Sequence, residues 1–298
     1  MKHITITIAW LLSLTVAAQS TSPDVIASSG EYYENANNSI SYTLGEIAVE
    51  TYSNGSNILT QGFQQPVSVA ITGIDLDLLV YLEGPFSGSQ MNTTLNSEGE
   101  IPLSQPYNTA PWNYSGTESV GSIPNSNVVD WVLIELRDAA NAGAATPATT
   151  IARQAAFLLN DGSVVGLDGS NGACSIAAPP ISNSLFVVVW HRNHLGILSA
   201  NGLTGSGGTY SYDFSTAITQ VYNGGAGYKE IATGIFGMVA GDADADGEIN
   251  TADKTVWANQ AGTKGYESAD FNMNSQVNNP DKNDMWVPNR SYESQVPE

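Results

Sequence analysis

The sequence predicts a mainly β chain: an antiparallel β-sandwich followed by a small α-helical module built around two acidic loops. Three observations predict it. Apolar runs rich in Val, Ile, Leu, Phe and Trp recur between about residues 74 and 239, broken at short intervals by Gly, Asn, Pro or Ser. No long amphipathic helical period interrupts them. Near residue 240 the strand patterning stops, and Asp and Asn become dense.

Taken in chain order, residues 1–18 read as a signal peptide: a short Met1-Lys2-His3 start, an apolar run from Ile4 to Ala17, and small residues at Val16-Ala17-Ala18. The apolar run is too short to span a bilayer comfortably, and no later run is long enough. The expected mature chain is therefore secreted, to the extracellular space or cell surface, without membrane insertion. Residues 19–66 form a short N-terminal β segment with strand patches in "SISYTLGEIAVETYS" and "NILTQGF" and a turn at "SNGS".

Residues 74–239 carry the sandwich. Its clearest strands are "LDLLVYLEG", "VVDWVLIELRD", "RQAAFLLNDG", "SVVGLDG" and "SLFVVVWHRNHLGIL". "NDG" at 160–162 signals a hairpin, and "NAGAATPATT" at 141–150 reads as a flexible loop. Leu185 to Trp190 is apolar on both parities, which predicts a strand covered on both faces.

Composition narrows the partners. The 298 residues include 29 acidic and 9 basic side chains, a net charge of −20, which repels nucleic acid and anionic membranes and suits divalent cations. Cys174 is the one cysteine, so no internal disulfide forms; with no His or basic residue adjoining it, it reads as a small structural residue.

Residues 240–298 hold the most specific signal. With Asp242 at position 1, Asp244, Asp246, Gly247, Glu248, Ile249, Asn250 and Asp253 fall at positions 3, 5, 6, 7, 8, 9 and 12. That is the spacing of a twelve-residue calcium loop, in which alternate side-chain oxygens and one backbone oxygen at position 7 surround a hard cation. Gly247 permits the sharp turn and Ile249 anchors the loop. The pattern recurs 28 residues on, with Asp270, Asn272, Asn274, Ser275, Gln276, Val277, Asn278 and Asp281 in the same positions. Both copies continue Asp-Lys and reach a Trp within a few residues. Two calcium ions are expected, the first loop binding more tightly because it carries four carboxylates against two.

Paired loops of this kind, each followed by one helix, resemble type I dockerin modules over about residues 240–290. The resemblance implies two calcium ions held by Asp242, Asp244, Asp246 and Asp253, and by Asp270, Asn272, Asn274 and Asp281, with Glu248 and Gln276 acting through backbone oxygen. It also implies a cohesin-like or surface protein partner. The chain departs from the usual dockerin pattern at Lys254 and Lys282 after position 12, and at Thr251-Ala252 and Asn279-Pro280 in positions 10 and 11. "GEIAVETYSNGSNILTQGFQQP", "LEGPFSG", "PWNYSGTESV", "VVDWVLIELRD" and "HRNHLGILSA" resemble exported haemagglutinin-like or adhesin-like surface proteins of Bacteroidetes. Together these imply adhesion or extracellular assembly without catalysis; the alternative is a carbohydrate-active enzyme or accessory protein of polysaccharide breakdown attached to a scaffold.

Other chemistry is less specific. His191 and His194 in "HRNH" would point to opposite faces of a continuous strand and read as structural before metal-binding. Asp130, Glu135 and Asp138 could supply a carboxylate pair but read first as turn or edge residues. Trp112, Tyr114, Trp131, Trp190, Tyr210 and Tyr212 could stack on a glycan; Trp131 and Trp190 read as core, and Trp112 and Tyr114, in a Pro-rich loop, as the surface pair.

Overall fold

A computed structural model describes residues 29–34, 39–44, 51–53, 58–60, 72–170 and 172–298. The signal peptide and the "SNGS" turn expected above lie outside these residues, apart from Ser53. The chain divides into two compact units, residues 1–68 and 69–298. In the first, β1 (Ser29–Glu34) pairs antiparallel with β2 (Ser39–Leu44), and β3 (Thr51–Ser53) with β4 (Ile58–Thr60).

The second unit begins with β5 (Thr72–Leu79), the small hairpin β6 (Phe86–Ser87) and β7 (Gln90–Met91), and the single turn α1 (Thr94–Ser97). Then come β8 (Val128–Ala139), β9 (Thr150–Leu159), β10 (Val164–Val165), β11 (Cys174–Ala178), β12 (Ser184–Trp190) and β13 (Ile197–Leu198). It continues with β14 (Thr204–Ser206), β15 (Thr209–Asp213), β16 (Tyr228–Ala232), β17 (Ile235–Met238) and α2 (Thr251–Gln260). A π-helical turn, Asp281–Trp286, then runs into α3 (Val287–Asn289).

The described residues are mainly β. One sheet has five strands in the order β10-β9-β8-β12-β13, every pair antiparallel; a second has four, β11-β5-β15-β14. The expectation of a wholly antiparallel fold needs one correction, because β15 runs parallel to β5. Strand alternation encodes which face is buried and not which way the neighbour runs, so the sequence could not show it.

Strand parity builds the interior. Leu185, Val187 and Val189 of β12 enter the main core with Ile134 and Leu136 of β8 and with Ile74, Leu76 and Leu78 of β5 from the other sheet. The opposite face of β12 is also covered: Phe186 and Val188 pack with Ala139, Ala142, Ala145 and Leu198. Alternating side chains therefore meet apolar partners on both sides of the strand, as the unbroken run implied. The hairpin at "NDG" forms, with Val164 opposite Leu158 and Gly162 at a φ of 90°. The segment 141–150 is more structured than a flexible loop: Asn141 caps one 3₁₀ turn, a second follows at Pro147–Thr149, and Ala142 and Ala145 are buried. Among the described residues no helix is long and apolar enough to cross a membrane.

The break expected at 239/240 falls inside the second unit. Ala243, Ile249, Phe271, Val277 and Trp286 of the acidic segment share one apolar cluster with Leu195, Val239 and Ala240 of the β body. A separate small helical module at 240–298 is not shown: among the described residues the segment's helices are α2, the π-turn and α3, and its apolar anchors pack with residues of the sheets. Spacing and composition report a loop's own chemistry, not the surface against which its anchors pack.

Candidate metal centre

The two acidic loops have the same hydrogen-bond skeleton. In the first, Gly247 N donates to Asp242 Oδ2 (3.2 Å), Asp246 N to Asp244 Oδ1 (3.4 Å) and Glu248 N to Asp246 Oδ1 (2.9 Å). In the second, Ser275 N donates to Asp270 Oδ2 (2.8 Å), Asn274 N to Asn272 Oδ1 (3.2 Å) and Gln276 N to Asn274 Oδ1 (3.0 Å). Position 12 closes both loops alike: Asn250 N and Asn278 N each donate to Oδ2 of Asp253 and Asp281 at 2.8 Å. The left-handed positions also repeat, Ala245 and Gly247 in one loop and Met273 and Ser275 in the other. Glycine is therefore not obligatory at the turn, since Ser275 takes the same region at some strain.

Helix Trp residues lock each loop to the other. Trp257 Nε1 donates to the Asn278 carbonyl and Trp286 Nε1 to the Asn250 carbonyl, both at 2.8 Å. The Lys residues that depart from the dockerin pattern are part of this exchange: Lys254 Nζ lies 5.9 Å from the Trp286 ring centroid and Lys282 Nζ 4.5 Å from that of Trp257. Trp257 follows Asp253 by four residues, whereas Trp286 follows Asp281 by five. The π-turn at Asp281–Trp286 takes up the extra residue, so both indoles reach equivalent carbonyls.

Electrostatics mark what the loops lack in protein partners. Asp242, Asp253, Asp270 and Asp281 are buried, and among the described residues none of them is in an ion pair. Burial, with repulsion from Asp253, Asp246 and Asp244, pushes the Asp242 carboxyl well above its ordinary range. Burial raises Asp253 and Asp270 to about 6 and raises Asp281 as well. Asp242 Oδ1 and Asn278 Oδ1 are buried with no hydrogen-bond partner among the described residues. Leaving such oxygens unmatched is costly. A bound cation removes that cost.

One carboxylate oxygen from each of Asp242, Asp244 and Asp246 lies within 4.8 Å of the other two, so this triad could hold a metal ion. The donor set is all oxygen, which fits a hard cation such as calcium. Glu248 and Gln276 keep exposed side chains, compatible with a role through backbone oxygen only.

The residues set aside as less specific are accounted for locally. The chain turns after Trp190, so His191 and His194 meet with ring centroids 4.9 Å apart, against the opposite faces expected of a continuous strand. Gly84 N donates to His194 Nε2 (3.1 Å), so the His194 proton sits on Nδ1, aimed at Asn193 Oδ1 (2.8 Å) and His191 Nδ1 (3.1 Å). His191 Nε2 then donates to Asp130 Oδ2 (3.2 Å). Burial lowers both imidazole pKa values, and all four ring nitrogens are engaged, leaving no lone pair for a metal.

Asp130 also binds Arg192 Nε (2.9 Å) and the Tyr266 hydroxyl (2.5 Å). Burial alone would raise its pKa, but Arg192, His191 and Tyr266 hold it below the ordinary range. Arg192 reaches the Glu267 carbonyl, and Asn193 Nδ2 donates to the Asp270 carbonyl (2.9 Å). "HRNH" thus joins the sheet to the second loop, a role the sequence reading missed. Glu135 is held by Arg137 (2.7 Å), and Asp138 accepts from Ser182 N and Asn183 N (2.7 and 2.8 Å). Asp130, Glu135 and Asp138 therefore all serve structural contacts.

Trp131 is buried, with Nε1 donating to the Pro102 carbonyl (2.8 Å). Trp190, Trp112, Tyr114, Tyr210 and Tyr212 are half-buried or pack at the core margin. Cys174 is buried, which pushes its thiol up to about 11.

Fold and site together define a mainly β chain with an acidic triad able to hold a metal ion. No family model, no curated protein and no solved structure matches the chain.

Proposed function

We propose that this is an exported calcium-binding protein of the cell surface, acting in adhesion or extracellular assembly through a β-sandwich body and a dockerin-like pair of calcium loops. The observation that carries the reading is the set of four buried carboxylates, at positions 1 and 12 of two matching loops, with no ion-pair partner among the described residues. Two calcium ions would sit there. Asp242, Asp244, Asp246 and Asp253 supply side-chain oxygens to one and Asp270, Asn272, Asn274 and Asp281 to the other, with the carbonyls of Glu248 and Gln276. The outward face of α2, including Thr251, Lys254 and Thr255, is exposed and available to a cohesin-like partner. No observation at Asp130, Glu135 or Asp138 favours the enzyme reading.

Calorimetric titration of the chelator-stripped chain tests this. The expected result is two calcium sites, the tighter abolished by Asp242→Ala and the weaker by Asp270→Ala, because fewer carboxylates bind less strongly. Heat from fewer than two sites, or the opposite order of loss, contradicts the assignment.

A further inference from the structure

A cleft of about 570 Å³ opens on the face of the five-stranded sheet that turns away from the main core. Cross-strand register explains its floor. Glu135 stands opposite Arg153 on β9 and Val188 on β12, Arg137 opposite Phe186, and Leu133 opposite Trp190. Glu135 Oε1 accepts from Arg137 Nε (2.7 Å), and its Oε2 accepts from Trp190 Nε1 (3.2 Å) and lies 3.5 Å from Arg153 Nε. Arg153 in turn holds the Trp112 carbonyl through both terminal nitrogens at 3.0 Å, which fixes the loop carrying Trp112 at the cleft wall. Trp112 and Trp190 are both half-buried, and both line the cleft.

The opposite wall is the first acidic loop and the segment that follows α3. Ser294 N donates to the Gly247 carbonyl (2.7 Å) and Ile249 N to the Tyr292 carbonyl (2.9 Å), so residues 291–294 lie along the loop around a single antiparallel bridge between Glu248 and Glu293. Arg137 Nη1 takes the Pro297 carbonyl (2.9 Å), which shows that a neutral acceptor oxygen fits the floor.

We propose that this cleft is a saccharide-binding site, taking a neutral oligosaccharide. The inference rests on the reading above that the β body meets a partner, and it names the partner's chemistry. Indole faces suit the C–H faces of sugar rings. The carboxylate and guanidinium groups of the floor hold one another, Thr150 and the Trp112 carbonyl, which makes the floor rigid, so the polar contacts to sugar hydroxyl groups would come from other lining residues such as Glu248, Glu293 and Gln295. The volume lies within the usual range for small-molecule sites. Asp246, Glu248 and Glu293 at the rim disfavour polyanions. An extended peptide is disfavoured as well. The floor strand β8 is hydrogen-bonded on both sides, so it has no free edge for strand addition.

The test uses the full calcium-loaded chain and follows tryptophan fluorescence on titration with cello-, xylo-, manno- and malto-hexaose. Polygalacturonate and the peptide Ser-Gln-Val-Pro-Glu serve as further arms. At least one neutral hexaose should bind, and Trp112→Ala should weaken it at least tenfold while the melting temperature in calcium stays within a few degrees. Arg153→Lys, which keeps the charge but loses the fork on the Trp112 carbonyl, should weaken it less. Binding of none of the four hexaoses, binding of the polyanion or peptide alone, or saccharide binding unchanged by Trp112→Ala would overturn the proposal. The calcium titration on the same sample reads the parent proposal separately.

Discussion

At the scale of single residues, Asp242 shows most sharply what the acidic loops lack in protein partners. It is buried, one of its oxygens has no partner, and three other carboxylates raise its pKa. Asp253 and Asp270, at about 6, lie above the ordinary carboxylate value near 4. Between those values the folded, metal-free chain binds more protons at these two carboxyls than the unfolded one. The stabilisation these two groups contribute is thus fully present below about pH 4 and lost as the pH rises through about 6, while His191 and His194, kept neutral by burial, act in the opposite direction over the same range. Calcium must displace the same protons, so its affinity should rise from pH 5 to pH 7. Arg192 makes a second residue-scale case. Arg192→Ala leaves Asp130 buried beside a neutral imidazole and should cost about 3–5 kcal/mol, read by urea unfolding. The acidic triad Asp242, Asp244 and Asp246 could be read from spacing, because oxygen geometry around a cation fixes where acidic side chains must recur. The role of "HRNH" could not, because it depends on a turn after Trp190 and on partners as distant in sequence as Asp130 and Asp270.

At the scale of elements, the exchange of Trp side chains couples the loops. Trp257→Phe and Trp286→Phe each remove one hydrogen bond to the other loop's carbonyl, at a cost of about 1 kcal/mol apiece. Each should weaken calcium binding at the loop that loses the contact, which is the loop opposite the substituted helix. Ile249→Ala should cost about 2–5 kcal/mol, since Ile249 anchors its loop in the cluster shared with Leu195 and Val239. The helix after the first loop was expected from the dockerin-like pattern of a loop followed by a helix; the structure adds that Asn250 and Asp253 form its capping box. The π-turn after the second loop was not. A single extra residue before Trp286 has several local solutions, and the fixed distance to the Asn250 carbonyl selects among them.

For the second unit as a whole, the acidic segment belongs to the body it follows. Its apolar anchors complete a core begun by the sheets, and Asn289 Nδ2 donates to Glu83 Oε2 (2.6 Å) and to the Ala240 carbonyl (2.8 Å). Strand content and the double-covered strand β12 could be read from apolar runs; the parallel β15–β5 pair and this shared core could not, since neither leaves a local pattern. Calcium bound in the loops should therefore stabilise residues 69–298 as one cooperative body. Calorimetric melting of the full chain, with calcium and with chelator, tests this most directly. At calcium about 100 times the dissociation constant each site adds about 2.7 kcal/mol, which shifts a unit of this size by several degrees. One transition should carry the β unit and the loops together and move down by roughly 10 °C or more in chelator. A β-unit transition that stays in place while a separate small one disappears, or no change at all, would contradict it.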